Sequence, residues 1–306
     1  MTLNSRWGLW CVAIFGFLMG AGRLTTPLAA EEAQTYQLRY QFTAGQEWHY
    51  VSQTDSEFMV EFQQTKDTVP HTSMFIRHVT VIKANPDGSA EVELLLDKAH
   101  MTAVNSGVSS LYDSEYPEHV PTEFANVHAS LGVPRRAVLS AQGKVRGDSD
   151  KSVAELLFQL PDMPVTIGAT WQEKFEVSIP VDNESKLLRS VKLQRRYELK
   201  SVEQGIATIG IMTACLSPIN NPYQESLLIQ RKPSGTVKFD IGRGCLVDRQ
   251  LTIDDKVVGN QGAGSALTVK LIKVDRLVNA DQLRQVDLTK PLVPLRVAAD
   301  PAKAFQ

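Results

Sequence analysis

VKLQRRYELK, residues 191–200, is the stretch that decides the fold class. Apolar and polar side chains alternate along it, and the apolar row consists of Val191, Leu193, Tyr197 and Leu199. Successive side chains of an extended chain point to opposite faces, so a period of two is typical of a β-strand with one buried and one hydrated face. The stretch therefore predicts a strand at the surface of an antiparallel sheet.

The same period recurs along the chain and makes β structure the dominant prediction. It governs residues 36–42, 75–84, 90–103 and 206–215. Asn-Pro-Asp-Gly separates 75–84 from 90–103, and it has the residues of a tight turn, because Pro presets φ and Gly supplies a positive φ. Helical periodicity is scarce. We therefore expect a mainly β (α+β) fold made of curved antiparallel sheets.

Composition and charge narrow the class of protein. The chain has 306 residues, 32 Lys and Arg against 34 Asp and Glu, and 43% hydrophobic residues. This is the composition of ordinary soluble domains, and it excludes collagen-like, wholly disordered and polytopic membrane proteins. The net charge of −2, with no pronounced basic tract, argues against nucleic acid as a partner.

The first thirty residues have the pattern of a secretory signal. Arg6 precedes an apolar run at 7–22, and small residues follow up to Ala30. This order predicts export to the periplasm or the extracellular space, with cleavage after Ala30. Once cleaved, the chain is not expected to be an integral membrane protein. The alternative is an uncleaved N-terminal anchor.

A short pattern occurs twice and indicates an internal duplication. Gly-x-x-Trp stands at 45–48 and again at 168–171, each time before a long hairpin. Both return strands begin Gly-x-Ala, at Gly88 and at Gly205. The pattern predicts two related β units, each with an apolar face that it cannot bury alone.

These patterns divide the chain into four segments with short helices between the strands. The segments are a signal peptide at 1–30, a first β unit at 31–145 with a helix near 121–131, a second β unit at 146–278 that opens with a helix at 150–160, and an extended tail at 279–306 with one short helical turn at 281–285. The two helices carry apolar stripes that we expect to line a groove, namely Phe124, Val127, Leu156 and Leu157.

Several short motifs resemble a known group of proteins. They are Leu38-x-Tyr40-x-Phe42-x-x-Gly45, Tyr112-Asp113-Ser114, Gly143-Lys144-Val145, Leu160-Pro161-x-x-Pro164-Val165-x-x-Gly168-x-x-Trp171 and Gly235-x-Val237-x-Phe239-Asp240. They are similar to motifs of secreted, signal-peptide-bearing proteins of planctomycete-type bacteria, a family of unknown function. The resemblance implies export and a β-rich fold, and it supplies no catalytic residue.

A search for chemistry finds no compact site. None of the six histidines stands in H-x-H or H-E-x-x-H spacing, so no metal ligand, catalytic residue or cofactor is predicted. Cys215 and Cys245, the two cysteines that remain after the predicted cleavage, are either a disulfide or two buried thiols, since an oxidising compartment permits a bridge. The strongest charge feature is a predicted basic strand face formed by Arg189, Lys192, Arg195, Arg196 and Lys200.

Three hypotheses about function remain open from the sequence. The first is a non-catalytic binding or structural module of the cell envelope, whose partner is an envelope protein, a polysaccharide or a lipid. The second is a carrier of a lipid or other apolar ligand in a half-barrel-like groove. The third is a hydrolase with a site between the two units.

Overall fold

The computed structural model describes residues 34–147, 153, 156–182 and 187–293. Within these ranges twelve strands form one antiparallel sheet, and the predicted mainly β fold is confirmed. The strands are β1 (Glu47–Phe62), β2 (Thr65–Ala84), β3 (Ala90–Asn105), β4 (Val108–Asp113), β5 (Arg135–Leu139), β6 (Val145–Arg146), β7 (Thr170–Pro180), β8 (Leu188–Glu203), β9 (Ile206–Cys215), β10 (Ser234–Asp240), β11 (Cys245–Val258) and β12 (Ser265–Val278).

One strand pair joins the two predicted units into a single sheet. The strand order is β6-β5-β3-β2-β1-β12-β11-β10-β9-β8-β7, and β4 pairs with β3 beside this path. β1 of the first unit and β12 of the second run antiparallel from His49 opposite Val278 to Phe62 opposite Ser265. Each unit therefore continues the hydrogen-bonded ladder of the other.

The sheet curls around its main core. We call the face that carries Trp48, Tyr50 and Tyr197 the inner face, and the opposite one the outer face. Leu139 of β5 and Leu199 of β8 belong to the same buried cluster, although eight strand spacings separate their strands. A flat sheet with about 4.8 Å per spacing would hold them roughly 38 Å apart. Their contact with one core requires strong curvature.

Residues 36–42 correct one prediction. Leu38 and Tyr40 are buried in the main core, and Arg39 and Gln41 are exposed, so the predicted alternation is right. The segment is nevertheless no strand of the sheet, because it forms only an isolated bridge from Tyr36 to Val165 and a few loop hydrogen bonds. It packs in the main core as an extended segment that is not part of the sheet.

Turn chemistry explains two hairpins and leaves a third unexplained. In the β2–β3 turn the Asn85 N–H donates to the Ser89 carbonyl at 2.8 Å, and Gly88 has φ 79°. The β8–β9 turn uses Gly205 with φ 79°. The β1–β2 turn has no glycine, and Gln63 adopts φ 54° instead. For this reason the sequence did not predict that β1 and β2 form one long hairpin.

The two Gly-x-x-Trp turns have the same hydrogen bonds. Gly45 donates to the Val81 carbonyl at 2.8 Å, and the Val81 N–H donates back to Gln46 at 2.9 Å. In the second unit Gly168 donates to Leu199 at 2.7 Å, and Leu199 donates back to Ala169 at 3.0 Å. Both glycines have φ near 80°, at 80° and 85°. The repeated pattern therefore marks a repeated local structure.

The helices are short and differ in part from prediction. The predicted helix at 121–131 is reduced to a 3-10 turn at Thr122–Phe124 and α1 at Ala125–His128. In the predicted helix at 150–160, residues 156–160 are not helical, and residues 150–152, 154 and 155 lie outside the described residues. Pro161 disfavours a helical conformation at Leu160, the residue before it, and residues 156–158 and 160 are buried in the main core as non-helical chain.

Two further helices complete the described chain. α2 at Pro222–Leu228 was not predicted, although Asn221 caps it and Pro222 is its first residue, which is a recognised start signal. α3 at Ala280–Arg284 agrees with the predicted helical turn at 281–285 and begins with a capping box between Asn279 and Gln282. No helix among the described residues is long and apolar enough to cross a membrane. The predicted cleavage site at Ala30 and the last part of the tail, from 294, lie outside the described residues.

Candidate ligand site

An apolar cavity lies between the inner face of the first unit and the segment that connects β4 to β5. Its volume is about 160 Å³, close to the roughly 150 Å³ of an engineered apolar cavity that binds benzene. Five apolar and three polar residues line it, namely Phe75, Arg77, Leu94, Leu96, Val127, Ser130, Val133 and Arg135. The first unit therefore has room for a small apolar group.

Strand register brings the wall of the cavity together. Arg77 lies opposite Leu96 in the β2–β3 pair, and Leu94 lies opposite Arg135 in the β3–β5 pair. A β-bulge in β3 leaves Asp97 without a partner in the ladder. Because of this bulge Leu96, and not Asp97, lies opposite Arg77, so the acid stays off the inner face.

The cover of the cavity is the short helical segment and the chain after it. Phe124 is buried in a small cluster, separate from the main core, together with Ala99, Met101 and Tyr112. Val127, one turn later, packs against that cluster and lines the cavity. The Gly132 N–H donates to the Leu96 carbonyl at 3.0 Å, which fixes the cover to β3.

Two guanidinium groups make one side of the cavity cationic. Nη2 of Arg135 donates to Oγ of Ser130 at 3.1 Å, and the Arg77 guanidinium carbon lies 4.9 Å from the centre of the Phe75 ring. Arginine stays charged at any working pH, and its planar fork matches a carboxylate or a phosphate. The cavity thus has two cationic side chains beside its apolar lining.

The four residues predicted to line a groove separate into two places. Phe124 and Val127 belong to the cover of the cavity. Leu156 and Leu157 lie in the main core, close to Phe158 and Tyr40. The Tyr40 hydroxyl donates to the Phe158 carbonyl at 3.3 Å, which anchors this part of the chain in the core. The two pairs therefore do not line one groove.

A buried ion pair lies on the inner face where the two units meet. The Asp275 carboxylate is fully buried and accepts hydrogen bonds from Ser52 at 2.7 Å and from Nη2 of Arg249 at 2.6 Å. Burial alone would raise the pKa of Asp275, but the charges of Arg249, Lys273 and Arg77 outweigh it and hold that pKa below its usual value. Asp275 therefore stays ionised and structural, since a carboxyl that acts as general acid needs a raised pKa.

Cys215 and Cys245, the two cysteines among the described residues, are free thiols in the structure. Cys245 lies opposite Asp240, which in turn lies opposite Ile206, so Cys245 is level with the first residue of β9. Cys215 is the last residue of β9, and nine residues of strand correspond to roughly 30 Å. A disulfide needs Cα atoms within about 7 Å, so Cys215 and Cys245 are too far apart in this structure to form one. Burial raises the pKa of the Cys245 thiol to about 11.

The predicted basic strand face divides between the two faces of the sheet. Arg189 and Arg195 share the inner face with Val191, and the other three cations lie on the outer face. Arg189 donates to Oε1 of Gln224 at 2.8 Å, and Arg195 pairs with Glu173 at 3.3 Å. The inner-face cations are therefore part of the packing of the second unit.

Sequence reasoning did not find Arg77 and Arg135 as site residues. A signal for Arg77 was present, because it interrupts the apolar row Phe75, Val79, Val81 of one strand face. A cation in such a row marks a place where the face is not closed by ordinary core packing. Arg135 follows Pro134 in a segment without clear periodicity, and its position became apparent only from the β3–β5 register.

Comparison with known proteins finds weak structural similarities. No protein-family model and no curated protein matches the chain. A lipovitellin structure concerned with lipid–protein interactions matches with a TM-score of 0.46 and 10% identity, over 78% of this chain and 26% of that one. DynF from the dynemicin biosynthesis pathway of Micromonospora chersina matches with a TM-score of 0.21 and 7% identity, over 82% and 89%. Both TM-scores are below 0.5, and this chain spans about a quarter of lipovitellin.

Proposed function

We propose that this chain is an exported, non-catalytic binding protein and that its ligand is a small amphipathic anion. The observation that carries the proposal is the cavity of about 160 Å³ with apolar walls and two arginines. Export is supported by the signal pattern of residues 1–30. The proposal combines the binding-module and the apolar-carrier hypotheses.

The walls define what the ligand looks like. The apolar lining comes from Leu94 and Leu96 of β3 and from Val127 and Val133 of the cover, so the buried part of the ligand is a short alkyl chain or a single ring. Arg135 donates one hydrogen bond to Ser130, and its guanidinium has further N–H donors for an anionic group. A medium-chain carboxylate such as octanoate satisfies both requirements.

Isothermal titration calorimetry with octanoate and 1-octanol tests the proposal. The exported protein should bind octanoate at one site, and octanol about tenfold more weakly or worse, because a hydrogen bond to a charged group contributes about 1.5 kcal/mol or more. Arg135→Gln should remove this preference. Val127→Trp, which fills the cavity, should abolish binding of both compounds.

Arg195→Gln is the matched control. Arg195 also lies on the inner face beside a phenylalanine, with its guanidinium carbon 5.2 Å from the centre of the Phe175 ring, but it does not line the cavity. This variant should bind octanoate like the parent. Equal affinities for octanoate and octanol, or equal losses in Arg135→Gln and Arg195→Gln, would contradict the proposal, as would no binding at all.

A further inference from the structure

We infer that His49, His78 and Asp97 form a site for a divalent transition-metal ion such as Zn²⁺ on the outer face of the first unit. One ligand atom from each residue lies within 4.8 Å of the others. His49 and His78 stand directly opposite each other in the β1–β2 pair, with ring centres 5.4 Å apart. The inference is independent of the proposed ligand cavity.

The β-bulge of β3 supplies the third residue. Asp97 is the extra residue of that bulge, and its carboxylate oxygens lie 2.7 and 2.8 Å from Nδ1 of His78. Bulges re-aim side chains next to functional sites. Here the same irregularity places Leu96 in the cavity on one face and Asp97 beside the histidines on the other.

The hydrogen bonding of His49 is the second observation that points to a ligand. Oε2 of Glu47 lies 3.3 Å from Nε2 of His49, while Nδ1 of His49 is buried and has no hydrogen-bond partner among the described residues. A histidine whose far nitrogen is held by a carboxylate is the usual arrangement of a metal-bound imidazole. Nδ1 is therefore the ring atom left for the ion.

Exposure and ligand type agree with a metal ion. The side chains of His49, His78 and Asp97 are 26%, 19% and 29% exposed, so an ion can reach the site without unfolding the sheet. Two imidazoles and one carboxylate favour zinc and neighbouring transition metals over magnesium or calcium, which prefer oxygen ligands. Three protein ligands leave a position for water or for a ligand atom of a partner.

The sequence could not indicate this site, because its histidines are 29 positions apart. Their juxtaposition depends on the β1–β2 register, which is set by the turn at Gln63. No glycine, proline or asparagine marks that turn, so the pairing of 49 with 78 was not foreseeable from spacing alone.

Calorimetry of the metal-free protein with Zn²⁺, and visible absorption with Co²⁺, test the inference. We expect one ion per chain, and about tenfold or greater loss of affinity in His49→Gln, His78→Gln and Asp97→Asn. His100→Gln is the matched control, because His100 lies on the same face and has its own carboxylate, Asp113 at 3.1 Å, but no second histidine opposite. Its affinity should equal that of the parent.

Thermal unfolding of the unaltered chain gives a readout that does not depend on any variant folding. An ion that binds only the folded state raises the melting temperature, so Zn²⁺ should raise it and Mg²⁺ at the same concentration should not. Equal effects of both ions, absence of zinc binding, or a loss in His100→Gln as large as in His78→Gln would overturn the inference.

Discussion

The first and second units begin their long hairpins with the same turn, yet the cavity described above lies on the inner face of the first unit. Both glycines of the Gly-x-x-Trp turns have positive φ and donate to equivalent strands. Both ribbons also place an arginine over a phenylalanine, Arg77 over Phe75 and Arg195 over Phe175. The shared scaffold therefore does not by itself create the site.

The difference lies in what covers the inner face. In the second unit α2 packs closely on the sheet, with Leu228 buried against Ile179 and Val191. In the first unit the helical cover is only four residues long, and the loop after it leaves a gap beside Leu94 and Leu96. The comparison teaches that the connections, rather than the strands, determine where the inner face is left uncovered.

The largest effect is expected at the junction of the two units. Asp275→Asn leaves the Arg249 charge buried without its partner, and we expect a loss of about 3–5 kcal/mol in the free energy of unfolding. A chain that starts at Glu31 has only two tryptophans, Trp48 in the first unit and Trp171 in the second. Urea unfolding of that chain, followed separately in Trp48→Phe and Trp171→Phe backgrounds, should show both midpoints falling together. A midpoint that falls in one unit alone would break the account of a single shared sheet.

Two measurements sharpen this prediction. Asp248→Asn, which removes a part-exposed ion pair with Arg276 at 3.1 Å, should lower the free energy of unfolding by less than about 1 kcal/mol.

Because the pKa of Asp275 is lower in the folded chain, the contribution of Asp275 to stability is complete above the unfolded pKa of about 3.9 and is lost as the pH falls through the lower folded pKa. The parent should therefore lose stability below that pH more steeply than Asp275→Asn.

The two tryptophans should differ in their cost of removal. Trp48 is 2% exposed in the main core, so Trp48→Ala should cost about 3–5 kcal/mol. Trp171 is half-buried, stacks on Tyr197 and donates to the Gln159 carbonyl at 2.8 Å. Because it buries less apolar surface, Trp171→Ala should lower the free energy of unfolding by only about 2 kcal/mol. Equal costs in urea unfolding would mean that the two units are more alike than their packing indicates.

The two turn glycines should have equal and smaller costs. An added Cβ has open space at Gly45 and at Gly168, so only the positive φ penalises Gly→Ala, by about 1–2 kcal/mol at each site. Asn tolerates this conformation, and Gly→Asn should recover part of the loss at both. Thermal or urea unfolding measures the pair, and clearly unequal losses would count against the structural equivalence of the turns.

The sequence was sufficient for the strands and insufficient for the site. Alternation located β8 and β9, because each strand has one buried and one hydrated face. Gly205 marked the turn between them, as Gly88 marked the β2–β3 turn. The same alternation wrongly predicted a strand at 36–42. An extended segment outside the sheet with one side buried has the same two-residue period as a half-buried strand. Periodicity does not report hydrogen bonding.

The candidate sites depend on relations between strands, which local patterns do not encode. Leu94 faces Arg135 only because β5 pairs with β3, forty residues away in sequence. The cavity further depends on how short α1 is, and the apolar stripe at 121–131 indicated a longer helix. α1 ends at His128, and four residues later the Gly132 N–H donates to the Leu96 carbonyl of β3.

A crystal structure of the protein with 8-bromooctanoate, measured at the bromine absorption edge, tests the binding account most directly. The account predicts an anomalous peak in the cavity between Leu94, Leu96 and Val127, with the carboxylate on Arg135 or Arg77. An anomalous peak elsewhere, or an occupied Phe175–Arg195 region of the second unit with an empty cavity in the first, would contradict it.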